Sequence, residues 1–248
     1  MQATFSEDSL LNGRVLVRQP IEGYRIAIDP VLLAASIEVA PGDHVLDIGA
    51  GVGAATLCLA ARRPDCRVTG LEMQWTYFRL AVDNITLNDF RKNAEMVYGD
   101  LSNPPPRLAA GTFSHVMANP PYLDNTHSRH QPHAEKAIAT VEGPADLAQW
   151  ARFCLLMTKP KGTITMIHRA ERLGEILSCF AGKMGDIVVF PLWPSLGKPA
   201  KRVLVRGRKN TQGPLRIAPG LVLHYDNGQF TPEAEAILRG GEGLRLLA

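Results

Sequence analysis

The chain has 248 residues, 46% hydrophobic and 21% charged, enough for one large α/β domain with a small appendage but not for two equal domains. No apolar stretch approaches the roughly 20 residues a membrane span needs, and Met1 to Asp8 carry neither a basic nor an apolar leader region, so no membrane partner is expected and the cytoplasm is favoured. The net charge of +3 excludes a chain that binds nucleic acid over its whole surface. It is unevenly placed, however: Lys198, Lys201, Arg202, Arg206, Arg208 and Lys209 fall in one stretch without an acid, a local basic patch.

In chain order, Gly13–Gln19 and Tyr24–Ile28 predict a small hairpin, followed by a helix that Asp29 caps and Pro30 opens. Strand-like runs then recur at His44–Ile48, Arg67–Leu71, Glu95–Tyr98, His115–Ala118, Thr163–His168, Ile187–Phe190 and Val203–Arg206. Between them, apolar residues at three-to-four spacing predict helices at Ala54–Arg63, Gln74–Asn88, Pro144–Thr158 and Ala170–Lys183. Strands alternating with helices imply parallel pairing through crossovers. The last two runs are joined only by Trp193–Ala200, too short for a helical crossover, so they form an antiparallel hairpin. Leu221–Tyr225, the turn Asp226-Asn227-Gly228 and a helix from Thr231-Pro232 complete the chain. The expected architecture is a Rossmann-like α/β fold: a mostly parallel seven-stranded sheet with an antiparallel end hairpin and helices on both faces. Residues 1–40 form an N-terminal appendage, 41–210 the main domain and 211–248 an extension packed on it.

Cys58, Cys66, Cys154 and Cys179 show no C-x-x-C spacing, which argues against a zinc ribbon or a redox pair. His127, His130 and His133 are regularly spaced, but their polar stretch lacks a cysteine or acid at ligand spacing. No metal is expected. That segment reads instead as a substrate-contacting loop through Arg129 and Lys136.

The strongest local signal is Val45-Leu46-Asp47-Ile48-Gly49-Ala50-Gly51-Val52-Gly53-Ala54, an apolar strand entering a glycine-rich turn and a helix. Gly49, Gly51 and Gly53 let the backbone approach a ligand and aim helix N–H groups at it. The string also satisfies a dinucleotide fingerprint through Gly49, Gly51 and Ala54, so by itself it does not choose a cofactor. Asp47 tilts the choice: an acid before the turn suits the cationic amino end of S-adenosylmethionine and opposes a pyrophosphate. Glu72, ending the second strand, has the position to bind ribose hydroxyls. Asp100 follows the third strand and either accepts from an adenine amino group or forms a turn.

Asn119-Pro120-Pro121-Tyr122 directly follows the fourth strand, at the carboxyl edge where ligands bind. Here the chain resembles class I methyltransferases acting on amino groups conjugated to a π system. Such a nitrogen is a poor nucleophile because its lone pair is delocalised. Two acceptors, the Asn119 side-chain oxygen and the Pro120 carbonyl, would hold its N–H bonds and aim the lone pair at the methyl carbon, while Tyr122 stacks on the planar target. A glutamine amide satisfies the same acceptors, so methylation of a protein glutamine stands as the alternative. An NAD-dependent oxidoreductase would give the tetrapeptide no role. A non-catalytic RNA-binding module would give none to Asp47, Glu72 and Asn119.

Over nearly its whole length the chain resembles the bacterial tRNA(Val) adenine-N6 methyltransferase family. The resemblance is carried by Gln19-Pro20, Gly23-Tyr24-Arg25, Asp29-Pro30-Val31-Leu32-Leu33-Ala34, Leu46 to Gly53, Asn119 to Tyr122 and Ala200-Lys201-Arg202-Val203-Leu204-Val205. It implies an adenine N6 beside a tRNA anticodon as the target, S-adenosylmethionine as the cofactor, and cofactor or target roles for Asp47, Glu72, Asp100, Asn119 and Tyr122. Lys201 and Arg202, with Arg129, are the candidate RNA contacts. The competing reading of the basic tract is an edge strand protected by solvated lysines.

Overall fold

The computed structural model describes residues 5–21, 25–122 and 145–247. His127, Arg129, His130, His133 and Lys136 lie outside the described residues.

The central strands are short apolar runs buried on both faces, as a parallel sheet covered by helices requires. They are β3 (His44–Ile48), β4 (Arg67–Glu72), β5 (Ala94–Tyr98), β6 (Phe113–Ala118) and β7 (Thr158–Arg169). β8 (Met184–Ser195) and β9 (Arg202–Lys209) form the expected hairpin, with β9 inserted between β7 and β8 and antiparallel to both. The nine-stranded sheet runs β10-β8-β9-β7-β6-β3-β4-β5, where β10 is Arg216–Ile217; β11 (Leu221–His224) also pairs with β8, further along. Chain order therefore reverses direction at β3, between β4 and β6, and a crevice opens at the carboxyl ends there.

Two of these strands exceed the seven expected. β10 is an exposed two-residue strand too short to leave a periodic pattern, and β11 joins the sheet where a separate packed extension was expected.

Helices cover both faces: α1 (Asp29–Ala35), α2 (Ala54–Arg62), α3 (Trp75–Leu87), α4 (Leu147–Met157), α5 (Leu173–Phe180) and α6 (Pro232–Leu238). Asp146 opens α4 through a reciprocal capping box with Gln149, and the Thr231 side chain caps α6 by accepting from the Ala234 N–H. Two core clusters result, one on each side of the sheet.

The N-terminal hairpin differs from the expectation. It pairs β1 (Phe5–Leu10) with β2 (Val15–Pro20), and Arg25 to Ile28 is not a strand. β1 reads Phe-Ser-Glu-Asp-Ser-Leu, with no apolar alternation to reveal it. Its partners are polar instead: Arg18 on Glu7, and Gln19 and Arg25 on Asp8. Asn84 on α3 and Asn88, which caps its end, dock the hairpin by imitating a neighbouring strand. The Asn84 oxygen accepts from the Arg18 N–H while its amide donates to the Arg18 and Val52 carbonyls, and Asn88 does the same at Leu16.

The basic tract differs from the edge-strand reading. β9 is an internal strand, so the edge-strand explanation fails. Four of its cations have internal partners: Arg202 on Asp29, Arg206 on Glu38, Arg208 on the Lys161 carbonyl, and Lys209 on the Leu155 and Thr158 carbonyls. Lys198 and Lys201 are exposed. Among the described residues no helix is long and apolar enough to cross a membrane, and no group of three His, Cys, Asp or Glu side chains is placed to hold a metal ion.

Candidate active site

The turn after β3 puts Gly49, Gly51 and Gly53 at φ values of 69°, 57° and 89°, in the left-handed region that favours glycine. Gly49 has a second reason. A Cβ there would come within 2.4 Å of Cη2 of Trp150, which α4 lays against the turn. Around Gly51, by contrast, a Cβ would meet nothing within 4 Å. Gly49→Ala should therefore destabilise the protein by about 2–4 kcal/mol, combining left-handed strain with overpacking, while Gly51→Ala costs only the strain. Urea melts of the two variants test this; equal midpoints would remove the assigned role of Trp150.

Asp47 does not line the crevice. Its Oδ2 turns beneath the glycine turn to accept from the Thr56 N–H and hydroxyl at 3.1 and 2.7 Å, satisfying a donor in the first turn of α2 that would otherwise be orphaned. Burial, only partly offset by these bonds, pushes its carboxyl up to about 6. In the structure, Oδ2 of Asp47 therefore supports the turn.

The crevice is lined by Gly49, Gly51, Glu72, Asp100, Asn119, Pro120 and Tyr122, together with apolar surface from Ile26, Ile48, Leu71, Met73, Leu101 and Trp150. Glu72 is 4% exposed; its two oxygens accept from the Gly51 and Gln74 N–H groups at 2.9 and 2.7 Å. Each oxygen keeps further acceptor capacity, in an orientation fixed in advance. Burial raises its pKa above the usual carboxylate value. Asp100 combines both sequence readings: it lines the crevice, and its Oδ1 accepts from the Ser102 N–H in a turn. Gly53, Lys201 and Arg202 are not in the lining.

Beside the glycine turn, Asn119 to Tyr122 leave β6. The Tyr122 hydroxyl lies 2.6 Å from Asn119 Oδ1 and 2.5 Å from Asp29 Oδ2. Asp29 is therefore not the helix cap the sequence suggested. Ile28 holds the cap position, without a side-chain bond, and the buried Asp29 carboxylate faces Tyr122 and Arg202 instead. Arg202, read as an RNA contact, places Nε 3.2 Å from Asp29 and its guanidinium carbon 4.5 Å from the Tyr122 ring centroid, a cation–π contact. His168, fully buried, meets the Tyr122 ring edge-on at 5.3 Å. Among the described residues neither of its nitrogens has a hydrogen-bond partner, although the Pro121 backbone is near enough to oppose part of its shift; burial and the Arg172 charge lower its pKa to about 4. Sequence reasoning missed His168, because a histidine in an apolar strand carries no local signal.

The lining tests the cofactor. Among the described lining residues two are acidic and none is basic, which disfavours a pyrophosphate and suits a cationic sulfonium. The fixed Glu72 carboxylate beside apolar surface fits a ribose and an adenine. S-adenosylmethionine at a hundredfold excess over its Kd should stabilise the protein by about 2.7 kcal/mol, an effect that Glu72→Ala diminishes and NAD does not produce. A thermal shift with NAD and none with S-adenosylmethionine would overturn the assignment.

Comparison with known proteins follows the same direction. Residues 26–143 match the family model described as Methyltransferase small domain. The chain is 31% identical over 219 residues to the tRNA1(Val) (adenine(37)-N6)-methyltransferase of Shewanella sp. strain MR-7, covering 85% of this chain and 89% of that one. It is 27% identical to the protein of that name from Aeromonas hydrophila, covering 84% and 85%. Among solved structures, a predicted O-methyltransferase from Agrobacterium tumefaciens shares the fold with a TM-score of 0.72 and 24% identity, covering 87% of this chain and 97% of that one. TYW2 from M. jannaschii, solved in complex with AdoMet, has a TM-score of 0.59 and 17% identity, covering 84% and 87%.

Proposed function

Because the chain belongs to the tRNA1(Val) (adenine(37)-N6)-methyltransferase family, whose members are S-adenosylmethionine-dependent methyltransferases, we propose that it methylates the N6 amino group of an adenine in the anticodon loop of a tRNA. The observation that carries this reading is the placement of Asn119 and Pro120 in the same crevice as Glu72 and the glycine turn. When bound, S-adenosylmethionine supplies an electrophilic methyl group on a positively charged sulfur. The chain's residues do the rest. Glu72 and the backbone at Gly51 orient the adenosyl part, and Asp47 holds the turn on which that backbone depends.

The Asn119 oxygen and the Pro120 carbonyl accept the two N–H bonds of the target. Holding both hydrogens on one side favours a tetrahedral nitrogen and exposes its lone pair along the line of attack. The N–C bond forms as the S–C bond breaks, and the methylated nitrogen then releases a proton to solvent. No general base is needed before transfer, because positioning supplies the acceleration. The acidic crevice favours the cationic cofactor over its neutral-sulfur product, which aids product release.

The test uses purified protein, S-adenosylmethionine labelled in the methyl group, and bulk tRNA from a strain lacking this gene. Nucleoside analysis should show label in N6-methyladenosine from a single tRNA position. Label in protein, recovered as N5-methylglutamine, with none in tRNA would replace this reading with the glutamine alternative.

A further inference from the structure

We propose that Asp29 is a positioning residue for methyl transfer: its carboxylate accepts the hydrogen bond of the Tyr122 hydroxyl and so keeps that proton off the Asn119 amide oxygen, leaving the oxygen to the target nitrogen. This rests on the role given to Asn119 above.

The argument begins with a count. A phenol has one proton, yet two acceptors among the described residues lie within reach of the Tyr122 oxygen, Asp29 Oδ2 at 2.5 Å and Asn119 Oδ1 at 2.6 Å. Only one of them receives it. A bond to a carboxylate is roughly twice as strong as one to a neutral amide, and Arg202 sets a positive charge 3.2 Å from the same Asp29 oxygen. The proton therefore points to Asp29. With no proton between them, Asn119 Oδ1 and the Tyr122 oxygen repel at 2.6 Å, and the amino group of the target, a donor, is the partner that relieves the contact.

Local structure gives Asp29 no other task. Its side chain does not cap α1, its carboxylate is 5% exposed, and a buried acid is costly unless it is paired. Its partners come from the loop after β6 and from β9, so the arrangement exists only in the folded chain. Were Asp29 lost, the hydroxyl would turn to Asn119 and mask the acceptor. Tyr122 would then be an internal competitor of the substrate.

This sets up a double-mutant test on methylation of bulk tRNA from the deletion strain. Asp29→Ala should lower kcat roughly tenfold, about the value of one such hydrogen bond, with cofactor affinity near wild type. Tyr122→Phe, which removes the competing hydroxyl, should cost less. The Asp29→Ala/Tyr122→Phe protein should match Tyr122→Phe alone, because without the hydroxyl there is nothing for Asp29 to hold away. A purely structural role predicts the opposite, an Asp29 penalty of the same size in the Tyr and Phe backgrounds, and that result would overturn the proposal. If Asp29→Ala fails to give a cooperative melt, Asp29→Asn replaces it in both backgrounds, with the same two outcomes. Asn119→Ala is run alongside: if it keeps full turnover, the parent reading falls and this one with it. If it collapses while the Asp29 penalty persists in the Phe background, only the positioning role is lost.

Discussion

Asn119→Ala should reduce kcat by about a hundredfold or more while leaving affinity for S-adenosylmethionine near wild type. Within the crevice the two tasks fall on different residues: Glu72 and the turn after β3 make the cofactor contacts, and Asn119, next to that turn at the end of β6, stands beside Tyr122. Its loss removes an acceptor whose bond to the target strengthens as the nitrogen becomes tetrahedral and its N–H bonds more acidic. An interaction that grows towards the transition state appears in kcat rather than in KM, and losing one preorganised polar contact of this kind typically costs 10²–10³. Titrating the cofactor calorimetrically and measuring single-turnover rates on tRNA separates the two quantities. Full turnover by Asn119→Ala would end the amino-methylation mechanism whatever the fold.

The second large effect is on stability and pH. His168 titrates at about 4 in the folded protein against an ordinary 6.5, while Asp47 titrates at about 6 against an ordinary 3.8. For His168 the folded state binds fewer protons than the unfolded chain, so its contribution is present above pH 6.5 and lost as pH falls towards 4. At about 1.4 kcal/mol per pH unit this amounts to roughly 3 kcal/mol. Asp47 has the opposite sign: ionising it in the interior costs stability as pH rises through 6, and acidification from 6 towards 3.8 recovers a similar amount. The two oppose one another between pH 4 and 6, so the wild-type profile conceals both. The variants reveal them. Relative to wild type, His168→Leu should gain about 3 kcal/mol on going from pH 7 to pH 4, and Asp47→Asn should lose about as much over pH 6 to 4. Asp43, held down to about 2 by hydrogen bonds from Ser114, Ala40 and His115, acts only at lower pH. Denaturant melts at pH 7, 6, 5 and 4 provide the measurement; parallel profiles for wild type and His168→Leu would mean that His168 is not buried in neutral form.

What the sequence by itself determined was whatever a local pattern can encode. An apolar strand leading into Gly49 to Gly53 specifies a strand, a turn and a helix, and the run Asn119 to Tyr122 follows an apolar strand closely enough to be placed at the carboxyl edge. Alternating strands and helices specified the parallel order, and the eight residues from Trp193 to Ala200 specified the hairpin of β8 and β9. Tertiary structure decided the rest. β1 is polar from Ser6 to Ser9 and is held by β2, Arg18 and Arg25, so no hydrophobic period marks it. Asp47 and Glu72 both lie near the carboxyl ends of apolar strands and both read as cofactor contacts in sequence; only the folded chain shows one carboxylate directed under the turn to Thr56 and the other into the crevice. Asp29 before Pro30 has every local mark of a helix cap, yet its partners are 93 and 173 residues away. A cap is a contact between neighbours and leaves a trace in the local sequence. A hydrogen bond that closes only when α1, β6 and β9 have packed together leaves none.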